Sequence, residues 1–397
     1  MTIALDPHDP TFQANPYPVY AQMRDQSPVT KLSPYNSYWV FRSADVIEVV
    51  QHTESYTKRS PLPSAPSTTL FGKMGYLPSG LFASDPPRHD MLRGVLEPLF
   101  REAIGAAPAV APAIAASLLE KTSTTGMMEV VVDYAVPLPA GVLFTVLGLD
   151  QGDWPLLTQW VGAIAAAHDI TQTINAQVFG GTCAMALRTY YEALILRVQA
   201  SGGPGLLPLL VAKIDGPEGL TREDVISTMT DLTVAGYLST TFLIGTGLLN
   251  LLNNPEQLAL LRSQPDLMPS AVEEMLRFDA PAQVVDRYVA VETTLAGVAL
   301  HPGDKVTAVL GSADHDPDAF AEPDSFMVNR TDSTQMSFGR GIHHCVGAPL
   351  ARIVTPIAMT ALLQLENIAV AGYPQWQTDP YLRGLVNLPV SFSRTRG

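Results

Sequence analysis

Only two of the 397 residues are cysteines, and the second, Cys345, lies in a stretch whose composition could do chemistry. Phe338-Gly339-Arg340-Gly341-Ile342-His343-His344-Cys345-Val346-Gly347 surrounds it with glycines and histidines. Gly339 and Gly341 lack a Cβ, so the backbone there can take positive φ and pass close to a flat ligand. Downstream, Val346 to Arg352 reads as a helix start with Pro349 in its first turn. A cysteine just before a helix N-terminus feels the positive end of the dipole and unpaired N–H groups, which favour a thiolate. Such a thiolate suits axial ligation of heme iron. Three other readings share these residues. Cys345 could be a buried structural thiol, or a zinc ligand with His343 or His344, although no second cluster completes four ligands. The glycines could belong to a dinucleotide loop, but His344 replaces the third glycine of G-x-G-x-x-G.

Four other patterns carry polar or strained positions. In Asp85-Pro86-Pro87-Arg88-His89 through Arg93, His89 and Arg93 stand at i and i+4 on one helix face, which a solvated basic surface would also produce. Ala235-Gly236-Tyr237-Leu238-Ser239-Thr240-Thr241 falls inside a long helical pattern. A glycine there costs roughly 1 kcal/mol relative to alanine, so Gly236 has a reason, such as close approach of a ring or a small gas ligand. Asp231, Ala235 and Ser239 follow at i, i+4 and i+8 and share a face. A buried Asp231 needs a donor, either an amine or N–H of a substrate or a partner within the protein. Glu274 and Arg277 form an i,i+3 pair, commonplace on a surface helix. Asp314-His315-Asp316-Pro317 is turn chemistry rather than a metal site.

Phe338, Gly339, Gly341, His343, Cys345 and Gly347 match every fixed position of F-G-x-G-x-H-x-C-x-G, and this stretch resembles the heme-binding loop of the cytochrome P-450 family. The D-P-P-x-H-x-x-x-R run, the A-G-x-x-x-T segment, E-x-x-R and the cysteine loop follow in the family's order, so the resemblance covers essentially the whole chain. It implies that Cys345 is the proximal ligand of heme b and that Phe338, Gly339, Gly341, His343 and Gly347 seat the ring. It puts His89, Arg93 and Arg287 on the propionates and Ala235 and Gly236 against the heme. Ser239, helped by Thr240, becomes the hydroxyl near bound dioxygen. Asp231, Val234, Val284, Val285 and Val386 line the substrate pocket, and Glu274–Arg277 becomes a buried structural pair. The implied activity is a monooxygenase that oxidises a small, largely apolar molecule. Its electrons come from a separate ferredoxin or flavodoxin-like donor, since no redox module fits in 397 residues. Arg101, Arg340 and Arg352 could form a basic docking face for that donor.

Two positions depart from the family pattern. Leu238 replaces the usual acid and Ser239 the usual threonine. Leucine cannot relay a proton, and general-acid help is typically worth roughly 10²- to 10⁴-fold. A peroxide-driven peroxygenase, an oxidase coupling substrate radicals and a non-catalytic heme sensor therefore stay open beside the monooxygenase.

The elements that position these residues read as mainly α with a smaller β-rich part, one domain over 1–397. A helix follows the turn at 14–26, a strand covers Ser37–Phe41, and helical spacing returns over Ser43–Gln51. Ser60 to Gly80 is a loop of about 20 residues, uncommon in a compact domain. The resemblance makes it a lid, with Ala165–Gly181, which holds His168, Asp169, Gln172 and Gln177, as its second half. Thr221 to about Asn253 predicts one helix, capped by Thr221 with Asp224 and ended by Asn254-Pro255. Gln283–Arg287 is extended. Gly297–Leu310 predicts a β-hairpin turning at Pro302-Gly303, and Leu382–Phe392 a terminal β-hairpin. Apolar residues make up 47% and charged residues 16% of the chain, and the net charge is −14. That charge argues against nucleic acid or an anionic membrane surface as partner. Two distant cysteines and an N-terminus without a signal pattern lead to the expectation of a cytoplasmic protein.

Overall fold

A computed structural model describes residues 5–62, 80–122, 125–167, 173–331 and 334–393. The expected lid at Ser60–Gly80 falls mostly outside them, as do His168, Asp169 and Gln172. The fold is mainly α with small sheets. The helices that matter for the site are α1 (Ser43–Gln51), α2 (Arg88–Ala103), α3 (Arg222–Ala235), α4 (Leu238–Asn253), α5 (Met268–Phe278) and α6 (Ala348–Leu363). The largest core cluster joins α2 through the central helices to α6, and α4 packs against both α5 and α6.

The five-stranded sheet runs in the order β1 (Val29–Leu32), β2 (Ser37–Val40), β8 (Lys305–Val309), β5 (Val284–Val289), β3 (Tyr56–Thr57). A second sheet joins β4 (Met127–Glu129), β12 (Pro389–Ser393) and β9 (Glu366–Val370). Two pairs complete the β structure: β6 (Thr293–Leu295) with β7 (Val298–Leu300), and β10 (Gln375–Trp376) with β11 (Leu385–Asn387).

Three expectations about elements are corrected. The helix predicted over Thr221–Asn253 is two helices, with a break at Gly236-Tyr237. A Cβ on Gly236 would lie 2.3 Å from the Leu232 carbonyl oxygen and 2.8 Å from Leu143 Cδ2, so only glycine lets the chain step here. The hairpin over Gly297–Leu310 does not turn at Pro302-Gly303. The tight turn is at Ala296-Gly297, with φ of 47° and 82°, and β8 instead joins β2 and β5. The terminal hairpin is also absent: one residue, Leu388, separates β11 from β12, too few for a turn, and the two strands pair with different neighbours.

The cap predicted at Thr221 is present. The Asp224 carboxylate accepts the Thr221 N–H at 2.8 Å and Thr221 Oγ1 accepts the Asp224 N–H at 3.2 Å. Arg88 on α2 also pairs with Asp224, tying the two helices together. Two threonines of α3 are satisfied within the helix, whereas Ser227 Oγ and Asp231 Oδ2 are buried without a partner among the described residues. Thr230 Oγ1 donates to the Ile226 carbonyl and Thr233 Oγ1 to that of Met229, each four residues back.

Candidate functional site

The cysteine loop is a backbone-held turn between the five-stranded sheet and α6. Gly339 and Gly341 have φ of 64° and 71°, the left-handed values their lack of a Cβ permits. The Cys345 N–H donates to the Phe338 carbonyl at 2.9 Å and the Gly339 N–H to that of Met336 at 2.7 Å, closing the loop on itself. At Gly341 the loop presses on the end of α1, where a Cβ would lie 3.2 Å from the Val50 carbonyl oxygen. Phe338 is covered by Arg352, whose guanidinium carbon lies 4.7 Å from the ring centroid.

Cys345 precedes α6 as expected, with Pro349 in the first turn, and its sulfur accepts from the Gly347 and Ala348 N–H groups. Burial nevertheless pushes the thiol above its ordinary value; those two N–H groups and the charges of Arg93 and Arg352 only partly offset it. The helix-start N–H groups thus favour the thiolate as expected, against the larger opposing effect of burial.

Beside the loop, four basic side chains converge. His89 on α2 is 1% exposed and meets His343 edge to face, with ring centroids 4.4 Å apart. Arg287 on β5 is 3% exposed and donates to the Asp286 carbonyl. Lys58 follows β3, which pairs with β5 through Thr57–Tyr288 and so brings it beside Arg287. Burial and then Arg287 lower Lys58 to about 7, and burial lowers Arg287 to about 10. His343 falls to about 2 through burial, followed by the charges of Lys58, Arg287, His89 and Arg93. Of the nearby carboxylates, Asp90 pairs with His89 Nδ1 at 2.9 Å, Asp286 is engaged with Lys305, Thr307 and Tyr381, and Asp85 with the backbone N–H groups of Lys58 and Arg59. His89 Nε2, His343 Nε2 and Arg287 Nε are buried and have no hydrogen-bond partner among the described residues. Buried donors and cations left in this state fit the anionic edge of a flat cofactor. A buried thiol and glycine turns fit its metal and its face, so this donor set fits heme.

Lys58 was not found from the sequence, because its place depends on pairing with a strand more than two hundred residues away. Arg93, also expected at the cofactor edge, makes contacts to the loop itself. It donates to the Ile342 and His344 carbonyls, both at 2.7 Å, and to Glu97 at 3.0 Å, so it clamps α2 to the cysteine loop. The Glu274–Arg277 pair is buried as expected, with both side chains 0% exposed.

Along α3 and α4, Ala235 is exposed while Leu232, Thr233, Val234 and Tyr237 around it are buried. Asp231 and Ser239, on either side of the break, are partly exposed, and Ser239 Oγ reaches back to the Ala235 carbonyl at 3.5 Å. Thr240 is buried, and Leu238 packs against the main core. Of the valines expected at a substrate pocket, Val234 is buried and Val386 is 48% exposed. Val284 belongs to a core cluster with Phe12, Tyr20 and Trp39, so of the two strand residues only Val285 presents surface.

The predicted docking arginines are largely paired. Arg352 holds Glu273 at 2.6 Å, Arg101 holds Glu97 at 3.1 Å, and Arg340 donates to the Thr334 carbonyl. Next to them, a cleft of about 450 Å³ is lined by Arg93, Glu97, Arg101, Gly341 and Ile342.

Comparison with known proteins bears on these features together. Residues 205–371 match the family model described as cytochrome P-450. The chain is 30% identical to the biotin biosynthesis cytochrome P-450 of Bacillus subtilis, over 99% of this chain and 100% of that one. It is 31% identical to the cytochrome P-450 monooxygenase PikC of Streptomyces venezuelae, over 97% and 93%. The crystal structure of CalO2 superposes with a TM-score of 0.88 at 29% identity, covering 98% of this chain and 99% of that one.

Proposed function

The chain belongs to the cytochrome P-450 family and is an oxidoreductase of the heme monooxygenase type, and on that premise we propose that it oxidises a small organic molecule with electrons delivered by a separate ferredoxin or flavodoxin-like protein. Heme with a thiolate on its iron supplies reductive activation of dioxygen and insertion of one oxygen atom into substrate. We take the cofactor as heme b, held through Cys345, with 1–397 as one domain around it and the cytoplasm as its compartment.

The residues divide the work. The Gly347 and Ala348 N–H groups stabilise negative charge on the Cys345 sulfur. Phe338, Gly339, Gly341 and Gly347 shape a turn that a ring can approach. His89, His343, Arg287 and Lys58 would supply donors and positive charge for the two propionates, and Arg93, as a further propionate contact, also fixes the loop. The exposed Ala235 would face the ring, and Gly236 lets the chain break between the two helices beside it. Ser239 Oγ, one turn on, can hold a water or donate a hydrogen bond to the oxygen site, with Thr240 behind it. The cleft between α2 and the cysteine loop is where the electron donor would reach the thiolate side.

The single observation that carries this reading is the convergence of three partnerless buried nitrogens, His89 Nε2, His343 Nε2 and Arg287 Nε, beside the Cys345 loop. Turnover of a spectrally identified ligand under labelled dioxygen, with a surrogate ferredoxin system, tests it: one labelled oxygen atom should appear in the product. Leu238 gives a second reading its support. It places a core-packing side chain where the family carries a proton-relaying acid, so a peroxygenase or an oxidative-coupling enzyme remains in view. Efficient turnover with hydrogen peroxide, and little with dioxygen and a reductase, would favour that reading.

A further inference from the structure

We infer that Asp231 reads the substrate, and that the substrate class is an amine protonated at neutral pH, held by an ion pair above the heme face. This rests on the monooxygenase reading and deepens it. Asp231 stands one turn before Ala235 on α3, on the face that carries the exposed Ala235, and Ser239 follows in the first turn of α4 beyond the break. Its carboxylate accepts the backbone N–H of Phe82, while Oδ2 is buried and has no hydrogen-bond partner among the described residues. The chain at Gly80 approaches it closely enough that a Cβ there would lie 2.4 Å from Oδ2. Backbone from Gly80 to Phe82 thus walls the Oδ2 side of the carboxylate, and no Lys, Arg or His among the described residues acts on it.

The other polar residues on α3 do not supply a donor. Thr230 and Thr233 spend their hydroxyl hydrogens on carbonyls of the same helix, and Tyr191 is engaged with Thr233. Burial raises the Asp231 carboxyl to about 7, so the site still ionises near neutral pH and a cation beside it would hold it ionised. A neutral apolar substrate would leave the group desolvated without compensation, whereas an ammonium supplies both charge and donor. Discrimination of this kind, by a buried group built to be paired, is typically large.

The test uses the heme-loaded enzyme and matched probe pairs. Each pair holds a lipophilic tertiary amine and the ether or hydrocarbon of the same skeleton, over a range of sizes. Binding is read as the low- to high-spin shift of the heme band at slightly alkaline pH, and the reduced carbon monoxide spectrum is recorded on the same samples. The expected result is at least one amine bound roughly tenfold or more tighter than its neutral partner. That preference should disappear in Asp231→Asn and be partly kept in Asp231→Glu. A preference that survives Asp231→Asn, or a screen in which only neutral compounds bind or no amine does, overturns the inference. Failure of the carbon monoxide spectrum instead overturns the monooxygenase reading itself.

Discussion

Replacing Glu274 by glutamine should destabilise the protein strongly and empty it of heme, although this residue touches neither the cysteine nor any of the residues proposed for the cofactor. Glu274 is 0% exposed and accepts from Arg277 Nε at 2.7 Å, Arg277 NH2 at 2.8 Å and Arg330 Nε at 2.9 Å, together with the Met327 N–H at 2.9 Å. Glutamine keeps the shape but removes the charge that two buried guanidinium groups share. Breaking a buried ion pair by removing one partner costs about 3–5 kcal/mol, a large share of the roughly 5–15 kcal/mol that holds a domain folded. The consequence reaches the site through a short chain of bonds. Arg277 NH1 donates to the Asp314 carbonyl at 2.8 Å, and Asp314 Oδ1 accepts the Met336 N–H at 2.6 Å, two residues before Phe338. The control is Glu273→Gln, next in sequence, which breaks the partly exposed pair with Arg352 and should cost no more than about 1 kcal/mol. Guanidinium unfolding midpoints and heme per polypeptide after purification read both effects. Equal losses in the two variants would refute the reasoning.

Asp231→Asn should raise the thermal midpoint at about pH 8. An unfolded aspartate loses its proton near 4, whereas the folded one keeps it to about 7, so folded stability falls as pH rises between these values. The penalty of about three pH units is at most ~4 kcal/mol before solvent screening, and the variant's advantage should vanish below about pH 4; a lower midpoint at alkaline pH would mean that the carboxylate is paired within the protein. Lys58→Met should speed transfer of heme to an acceptor protein by roughly tenfold, the loss of one charge-assisted hydrogen bond, while Lys31→Met on β1 should leave the rate unchanged. Leu238→Glu should change the coupling of electrons to product more than substrate affinity; if rate and coupling both stay the same, position 238 lies off any proton path.

What the sequence made legible was local. The cysteine loop, the Thr221 cap, the Glu274–Arg277 spacing and helix α1 each depend on residues within a few positions of one another, and each is found where expected. The misses that bear on the site involve distance along the chain. Lys58 reaches Arg287 only because β3 pairs with β5, and β8 leaves its expected hairpin because β2 and β5 offer it two ladders at once. Arg93 was legible as a basic residue facing the site, but not as the clamp on the Ile342 and His344 carbonyls, since that depends on how α2 docks. The break at Gly236 was half visible: the glycine signalled close approach, and the side chain that comes close is Leu143, from another helix. The thiol of Cys345 shows the same limit, because dipole and N–H effects are local whereas the burial that outweighs them is not.

The most direct test of the account is the spectrum of the dithionite-reduced, carbon monoxide-bound protein in wild type, Cys345→Ser and Cys183→Ser. A thiolate on the iron shifts the Soret band strongly to the red. The account predicts that band in wild type and in Cys183→Ser, whose cysteine is buried on a helix away from the loop, and its loss in Cys345→Ser. An unchanged red-shifted band in Cys345→Ser would contradict it.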